Sequence, residues 1–302
     1  MPYPNTRPVA QLYRPASTLR IQPRTDGNYR QQCNVVYAEA HGFGLVMDVF
    51  SPESAGNGLG IVDVVSGAWF SDRVVLNAHI GLGICDVLCA RGYTVFAVAP
   101  GSVTKFTGRD MLRHVHEAIR NIKVNAPQYG IDPGRLGLTG ASAGGHLAAL
   151  AALHPKPGRP AANDPFRRQA SNVHAVALLF PPTDLVEFGG QASHHLELEG
   201  LRVDGLLFED GLENHSSEEI HERLSELSPA SQVRPVPPPF MLLHGDADPA
   251  VPLRQSELLA EAIRAAGGEA RLLIKPGGGP PWPVIRAEIE MMADWLDARL
   301  NC

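Results

Sequence analysis

From residue 35 onward the apolar positions switch repeatedly between two periods. Val35–Ala40 and Leu45–Phe50 read as a strand pair, and Leu59–Val65 is a short apolar run of buried-strand length. Asn77–Ala90 follows at helical spacing and is closed by Gly92, and Tyr93–Val98 returns to strand. The clearest period lies in Arg109–Ala126. There Met111, Leu112, Val115, Ala118, Ile119 and Ile122 recur three and four apart, which lines one helical face. Strand Arg135–Thr139, helix Ala143–Leu153 and strand Val173–Phe180 continue the alternation. Residues 181–239 break it with many Pro, Gly, His and Glu and one helical piece near Glu218–Leu227. It resumes with strand Phe240–His244, helix Pro252–Ala266, strand Ala270–Lys275 and helix Val284–Leu300.

Strands separated by helices require crossover connections, so the pattern predicts an α/β fold. Its central sheet is mostly parallel, with helices on both faces. The interruption at 181–239 predicts a cap-like insertion over the carboxyl ends of the strands, where such sheets bind ligands. Residues 1–32 carry Pro2, Pro4, Pro8, Pro15 and Pro23 with little periodicity, and read as an irregular arm before one domain at 33–302. No internal repeat interrupts this reading.

Composition narrows the class. Among 302 residues, 44% are hydrophobic and 19% charged, enough to bury a core and incompatible with wholesale disorder. The net charge of −6 lacks the basic footprint of a nucleic-acid partner. No apolar run approaches the roughly 18 residues of a membrane span. The opening MPYPNTRPVAQLYRP has no hydrophobic signal core, which fits a cytoplasmic protein or an exported one whose signal is not in this numbering. Cys33, Cys85, Cys89 and Cys302 are too scattered for a disulfide framework, and Cys85 and Cys89 read as small buried residues on one helical face. Gly277-Gly278-Gly279 lacks the G-x-G-x-x-G spacing of a dinucleotide site, and no cofactor or metal is implied. Oligomeric state is left open.

The chemistry concentrates in Gly140-Ala141-Ser142-Ala143-Gly144-Gly145, a G-x-S-x-G pattern between a predicted strand and a predicted helix. That context lets a serine project from a sharp turn as a nucleophile, with small neighbours because strand and helix nearly touch. The Ala143 amide at the helix start is one expected oxyanion donor. A second strand-end loop, Val65-Ser66-Gly67-Ala68-Trp69, offers Gly67 and Ala68 as further donors. His146, one turn into the helix after the serine, reads as structural. Asp248, in the loop after strand Phe240–His244, fits a triad acid. It is preferred to Asp184 because the order serine, acid, histidine puts the acid late. Asp246 is expected to cap its own turn, and His244 to be structural.

These motifs resemble α/β-hydrolases of the esterase and lipase superfamily. The closest likeness is to small carboxylesterases related to bifunctional feruloyl and acetylxylan esterases. The resemblance covers about residues 33–300 and rests on Val64–Trp69, Tyr129–Leu147, His244–Pro252 and Lys275–Pro283. It implies a serine carboxylic-ester hydrolase with a small-molecule ester as partner. In that family the last segment reads Lys-Pro-Gly-x-Gly-His-Gly-Trp-Pro, and its histidine is the general base. Here Pro280 stands in the histidine's place and Pro281 in the next glycine's, and no histidine follows His244. Proline cannot accept the serine's proton, so the resemblance implies weak or abolished turnover. The adjacent His194 and His195, on the insertion, are the substitute bases to consider. The alternative is a hydrolase-fold binding protein that holds a small molecule without turning it over.

Overall fold

A computed structural model of the chain describes residues 28–190, 197–198, 201–202, 204–279 and 285–301. Its strands are β1 (Tyr29–Ala40), β2 (Phe43–Pro52), β3 (Gly60–Val64), β4 (Thr94–Val98), β5 (Leu136–Ala141), β6 (Ala175–Leu179), β7 (Glu197–Leu198), β8 (Leu201–Arg202), β9 (Phe240–Gly245) and β10 (Ala270–Lys275). The principal helices are α1 (Arg73–Leu82), α2 (Ile84–Ala90), α3 (Gly108–Val124), α4 (Ala143–Leu153), α5 (Ser217–Glu226), α6 (Arg254–Ala265) and α7 (Arg286–Leu300). Eight strands form one sheet in the order β1-β2-β4-β3-β5-β6-β9-β10. The β1–β2 and β2–β4 pairs are antiparallel and every other pair in that sheet is parallel, while β7 and β8 form a separate antiparallel pair. This is the α/β-hydrolase fold.

Alternate residues of each strand face opposite layers. Val62 and Val64 of β3 join the apolar faces of α3, α4 and α6, whereas Ile61 and Val65 join α1, α2 and α7. The stripe predicted on α3 is the one that is buried, and a Thr107–Asp110 capping box starts that helix. All eleven residues of α4 are buried, as its unbroken apolar run requires of a helix with no solvent face.

Two boundaries differ from the sequence expectation. Strand β1 begins at Tyr29, inside the segment read as an arm. Its polar residues Arg30, Gln31 and Gln32 sit on an exposed strand where β2 is the sole neighbour among the described residues, so backbone pairing rather than apolar alternation sets the start. The helix expected over 77–90 is two helices, α1 and α2, bent by 53° at Gly83. The backbone there is left-handed (φ 88°) and ends α1 through a bond from the Gly83 amide to the Ile80 carbonyl.

The described part of 181–239, the segment read as an insertion, joins the core. Leu206, Leu207, Leu224 and Leu227 are buried in the same core as α3 and α4. Gly108 is the seat: a Cβ there would lie 2.9 Å from Leu227 Cδ1 and 3.2 Å from Leu206 Cδ1. The insertion thus packs on the first turn of α3.

Candidate active site

The chain passes from β3 to β4 on one side of the sheet and then to β5 on the other side of β3. Such a reversal opens a crevice at the carboxyl ends of the two diverging strands. Two tight turns meet there. One follows β5 and carries Ser142; the other follows β3 and carries Ser66–Phe70.

Ser142 adopts φ 52°, ψ −124°, a left-handed-side backbone that is costly for any residue with a Cβ. Its surroundings leave little choice. The Ser142 amide donates to the Leu179 carbonyl (2.9 Å), the His146 amide donates to the Ser142 carbonyl (3.0 Å), and the Gly144 amide donates to the Ser66 carbonyl (2.8 Å). A Cβ on Gly140 would come within 2.6 Å of the Gly144 carbonyl carbon, and one on Gly144 within 2.0 Å of the Val64 carbonyl oxygen. The motif's small residues are therefore a packing requirement between β5, α4 and β3. Ser142 occupies the N-cap of α4, yet its side chain makes no capping bond. Between Leu136 and Leu153 it is the single residue that is not fully buried. Its hydroxyl therefore stands beside the positive end of α4, unspent on capping. The Ala143 amide, first in the helix, has no intrahelical acceptor.

The turn after β3 corrects one expectation. Gly67 and Phe70 bond to each other in both directions (2.9 and 2.8 Å), so the Gly67 amide closes the turn instead of facing a ligand. The amide of Ala68, at the half-exposed tip, has no acceptor among the described residues. Ala68 and Trp69 both have positive φ, 46° and 59°, the pair of left-handed residues that a two-residue hairpin needs. Trp69 is buried, and its indole Nε1 donates to His146 Nδ1 (3.1 Å), while His146 Nε2 donates to the Leu227 carbonyl (2.7 Å). Burial pushes the His146 pKa down to about 4, against the pull of that carbonyl, so the ring is neutral near pH 7. His146 is a buried, doubly bonded residue, as its place in the helix predicted. Its partners lie 77 and 81 residues away in sequence, and no spacing pattern announces them.

After β9, His244 is fully buried between Ser256 Oγ (2.7 Å) and the Val251 carbonyl (2.8 Å). Asp248 Oδ1 accepts from the Ala250 and Val251 amides (2.8 and 2.9 Å). Its other oxygen, Oδ2, is buried with no hydrogen-bond partner among the described residues, and lies 3.4 Å from His244 Nε2 without bonding to it. Asp246 departs from its expected role. It accepts from the Gly277 amide (2.6 Å), across to the next loop, because β9 and β10 are adjacent and parallel and their exits run side by side. Ala247 likewise donates to the Gly278 carbonyl (3.0 Å), and a Cβ on Gly279 would lie 3.1 Å from the Ala247 carbonyl. The loop leading to residue 280 is thus zipped to the loop of Asp248. Asp184 uses its Oδ1 to cap its own turn, at the Val186 and Glu187 amides. Pro280, His194 and His195 lie outside the described residues.

No group of three metal-ligating side chains occurs among the described residues, and no single helix there is long and apolar enough to cross a membrane.

The BD-FAE family model matches residues 47–263. Esterase LipQ of Mycobacterium tuberculosis is 34% identical over 164 residues, which is 51% of this chain and 34% of that protein. The probable carboxylic ester hydrolase LipM of the same organism is 26% identical over 68% of this chain and 44% of its own length. The chain therefore spans a third to a half of the length of these curated relatives. Among solved structures, a truncated carbohydrate esterase from gut microbiota superposes with a TM-score of 0.73 at 24% identity, covering 92% of this chain and 99% of that one. An esterase of Thermogutta terrifontis, solved with butyrate bound, gives 0.66 at 22%, covering 90% and 94%.

Proposed function

Because the chain belongs to the BD-FAE family of carboxylesterase-like α/β-hydrolases, we propose that it is a serine carboxylic-ester hydrolase for short acyl, aromatic or carbohydrate esters, with Ser142 as nucleophile. The observation that carries this reading is the Ser142 hydroxyl: held at a positive φ, free of any capping bond and partly exposed in the sheet's central crevice. Its Oγ attacks the ester carbonyl carbon, and the displaced electron pair moves onto the carbonyl oxygen. The amides of Ala143 and Ala68 stabilise that oxyanion. The C–O bond to the alcohol then breaks, the alcohol leaves with the serine's proton, and water releases the acid from the acyl-enzyme. Asp248 would orient a base and stabilise its charged form. The butyrate held by the Thermogutta esterase supports a short acyl group.

We read Pro280 as replacing the family's base, so turnover rests on the nucleophile and the oxyanion donors. In a serine protease, loss of the base leaves about 10³–10⁴-fold acceleration over water. The test is hydrolysis of p-nitrophenyl butyrate by the wild type, by Ser142→Ala, and by the double variant Pro280→His with Pro281→Gly. The wild type should be slow, the double variant should gain about a hundredfold or more, and Ser142→Ala should remove that gain. A rate indifferent to Ser142 in both backgrounds would sink the reading.

Asp248 Oδ2, without a hydrogen-bond partner among the described residues, favours one alternative, a hydrolase-fold protein that binds an ester without cleaving it. Saturable binding of the butyrate ester, with no Ser142-dependent turnover in the wild type or the double variant, would select it.

A further inference from the structure

We propose that His146 is a positioning residue. Through Trp69 it holds the Ala68 amide in place for the oxyanion, and through Leu227 it ties that turn to the insertion. This rests on the ester-hydrolase reading above.

The turn it serves is strained. Ala68 and Trp69 are both left-handed without being glycine, a conformation that costs any residue with a Cβ. Such a turn relaxes unless its surroundings fix it. Three anchors do so: the reciprocal Gly67–Phe70 bonds, the Val103 amide donating to the Trp69 carbonyl (2.9 Å), and the indole bond to His146. The Gly67 carbonyl shares a peptide with the Ala68 N–H, so its bond from the Phe70 amide holds one side of that peptide, and the Val103 bond holds the far end of the turn. The third fixes the Trp69 side chain, and so opposes rotation of the Ala68 and Trp69 backbone that would release the turn.

The other end of this link is referenced to the nucleophile. His146 belongs to the first turn of α4, and its own amide bonds to the Ser142 carbonyl (3.0 Å). A hydrogen-bonded path therefore runs from Ser142 through His146 and Trp69 to Ala68, setting the distance between the attacking oxygen and an oxyanion donor. The ring is held in one tautomer. The Leu227 carbonyl can only accept, so it takes the Nε2 proton, and the indole can only donate, so it claims Nδ1. Trp69 and His146 are 3% and 0% exposed, and their rings meet edge to face at 5.5 Å, so water cannot replace either bond. Leu227 is the C-cap residue of α5, which joins that helix to the same assembly.

An amide displaced from the developing oxyanion weakens transition-state binding while leaving ground-state binding in place. Trp69→Phe keeps a buried ring and removes the N–H. Esterase kinetics of Trp69→Phe, His146→Gln and His146→Leu are measured in the wild type and in the Pro280→His, Pro281→Gly background, with melting temperatures recorded for each. Trp69→Phe should lower kcat about tenfold to a hundredfold with KM within about twofold. His146→Gln, which keeps one donor and one acceptor, should retain more of that kcat than His146→Leu. Lower melting temperatures with unchanged kcat would mean the link only stabilises the fold, and the proposal fails while the esterase reading stands. Absence of Ser142-dependent hydrolysis in both backgrounds would overturn the esterase reading and this inference with it.

Discussion

At the scale of single residues, the site is governed by atoms that are missing. Gly144 lies so close to β3 that a Cβ would stand 2.0 Å from the Val64 carbonyl oxygen, with the Ser66 amide nitrogen at 3.2 Å. Both obstacles are backbone, so neither can turn aside as a side chain would. Gly144→Ala is expected to destabilise the protein by about 3 kcal/mol or more, read as a lowered urea midpoint, and to lose Ser142-dependent turnover with it. A variant of native stability would show that β3 and α4 can separate at no cost. The counterpart is Ser142 itself, whose neighbours deny it an ordinary backbone and whose hydroxyl makes no capping bond. The serine and its glycines were legible as a motif. The loss of the Gly67 amide to Phe70 was not, because a hairpin closed by Ala68 and Trp69 lacks the Asn-Gly or Asp-Gly signature of such turns.

At the scale of elements, apolar periodicity succeeded where one face of a segment is buried and blurred where a break is made by conformation alone. The stripe of α3 and the short apolar runs of the inner strands were both visible. The division of α1 from α2 was not, since apolar residues continue across Gly83 and only its left-handed backbone turns the axis. Gly83→Ala tests that reading. The nearest atom to the added Cβ is Arg286 Nη1 at 3.8 Å, so the penalty is conformational rather than steric. Stability should fall by about 1–2 kcal/mol in urea unfolding, with turnover per folded molecule unchanged. No loss at all would mean the two helices can join without strain. The insertion is the opposite case. Its buried leucines are spread over short irregular pieces that show no period, and their seat is created by Gly108 on a distant helix.

At the scale of the molecule, burial of neutral histidines makes the fold sensitive to acid. Desolvation lowers the pKa of His116 to about 3 and of His146 to about 4, and lowers His114 as well. In the unfolded chain each takes a proton near pH 6.5. Between that value and the lowered one the unfolded state binds more protons, so stability is full above pH 6.5 and falls as pH drops. The decline from His146 alone is about 3 kcal/mol, complete near pH 4. Urea unfolding at pH 7.5, 6 and 5 should show a falling midpoint, and a midpoint constant from 7.5 to 5 would refute it. The sequence by itself determined the order of strands and helices, and hence a parallel α/β sheet, because the two periods report local burial directly. It also determined the serine turn, because tight backbone contact admits only small residues around it. Tertiary structure alone decided that the Gly67 amide is spent on Phe70, that Asp248 Oδ2 has no hydrogen-bond partner among the described residues, and that His146 joins Trp69 to Leu227. Those facts depend on backbone direction and on contacts between residues far apart in the chain, and neither is written in any local pattern.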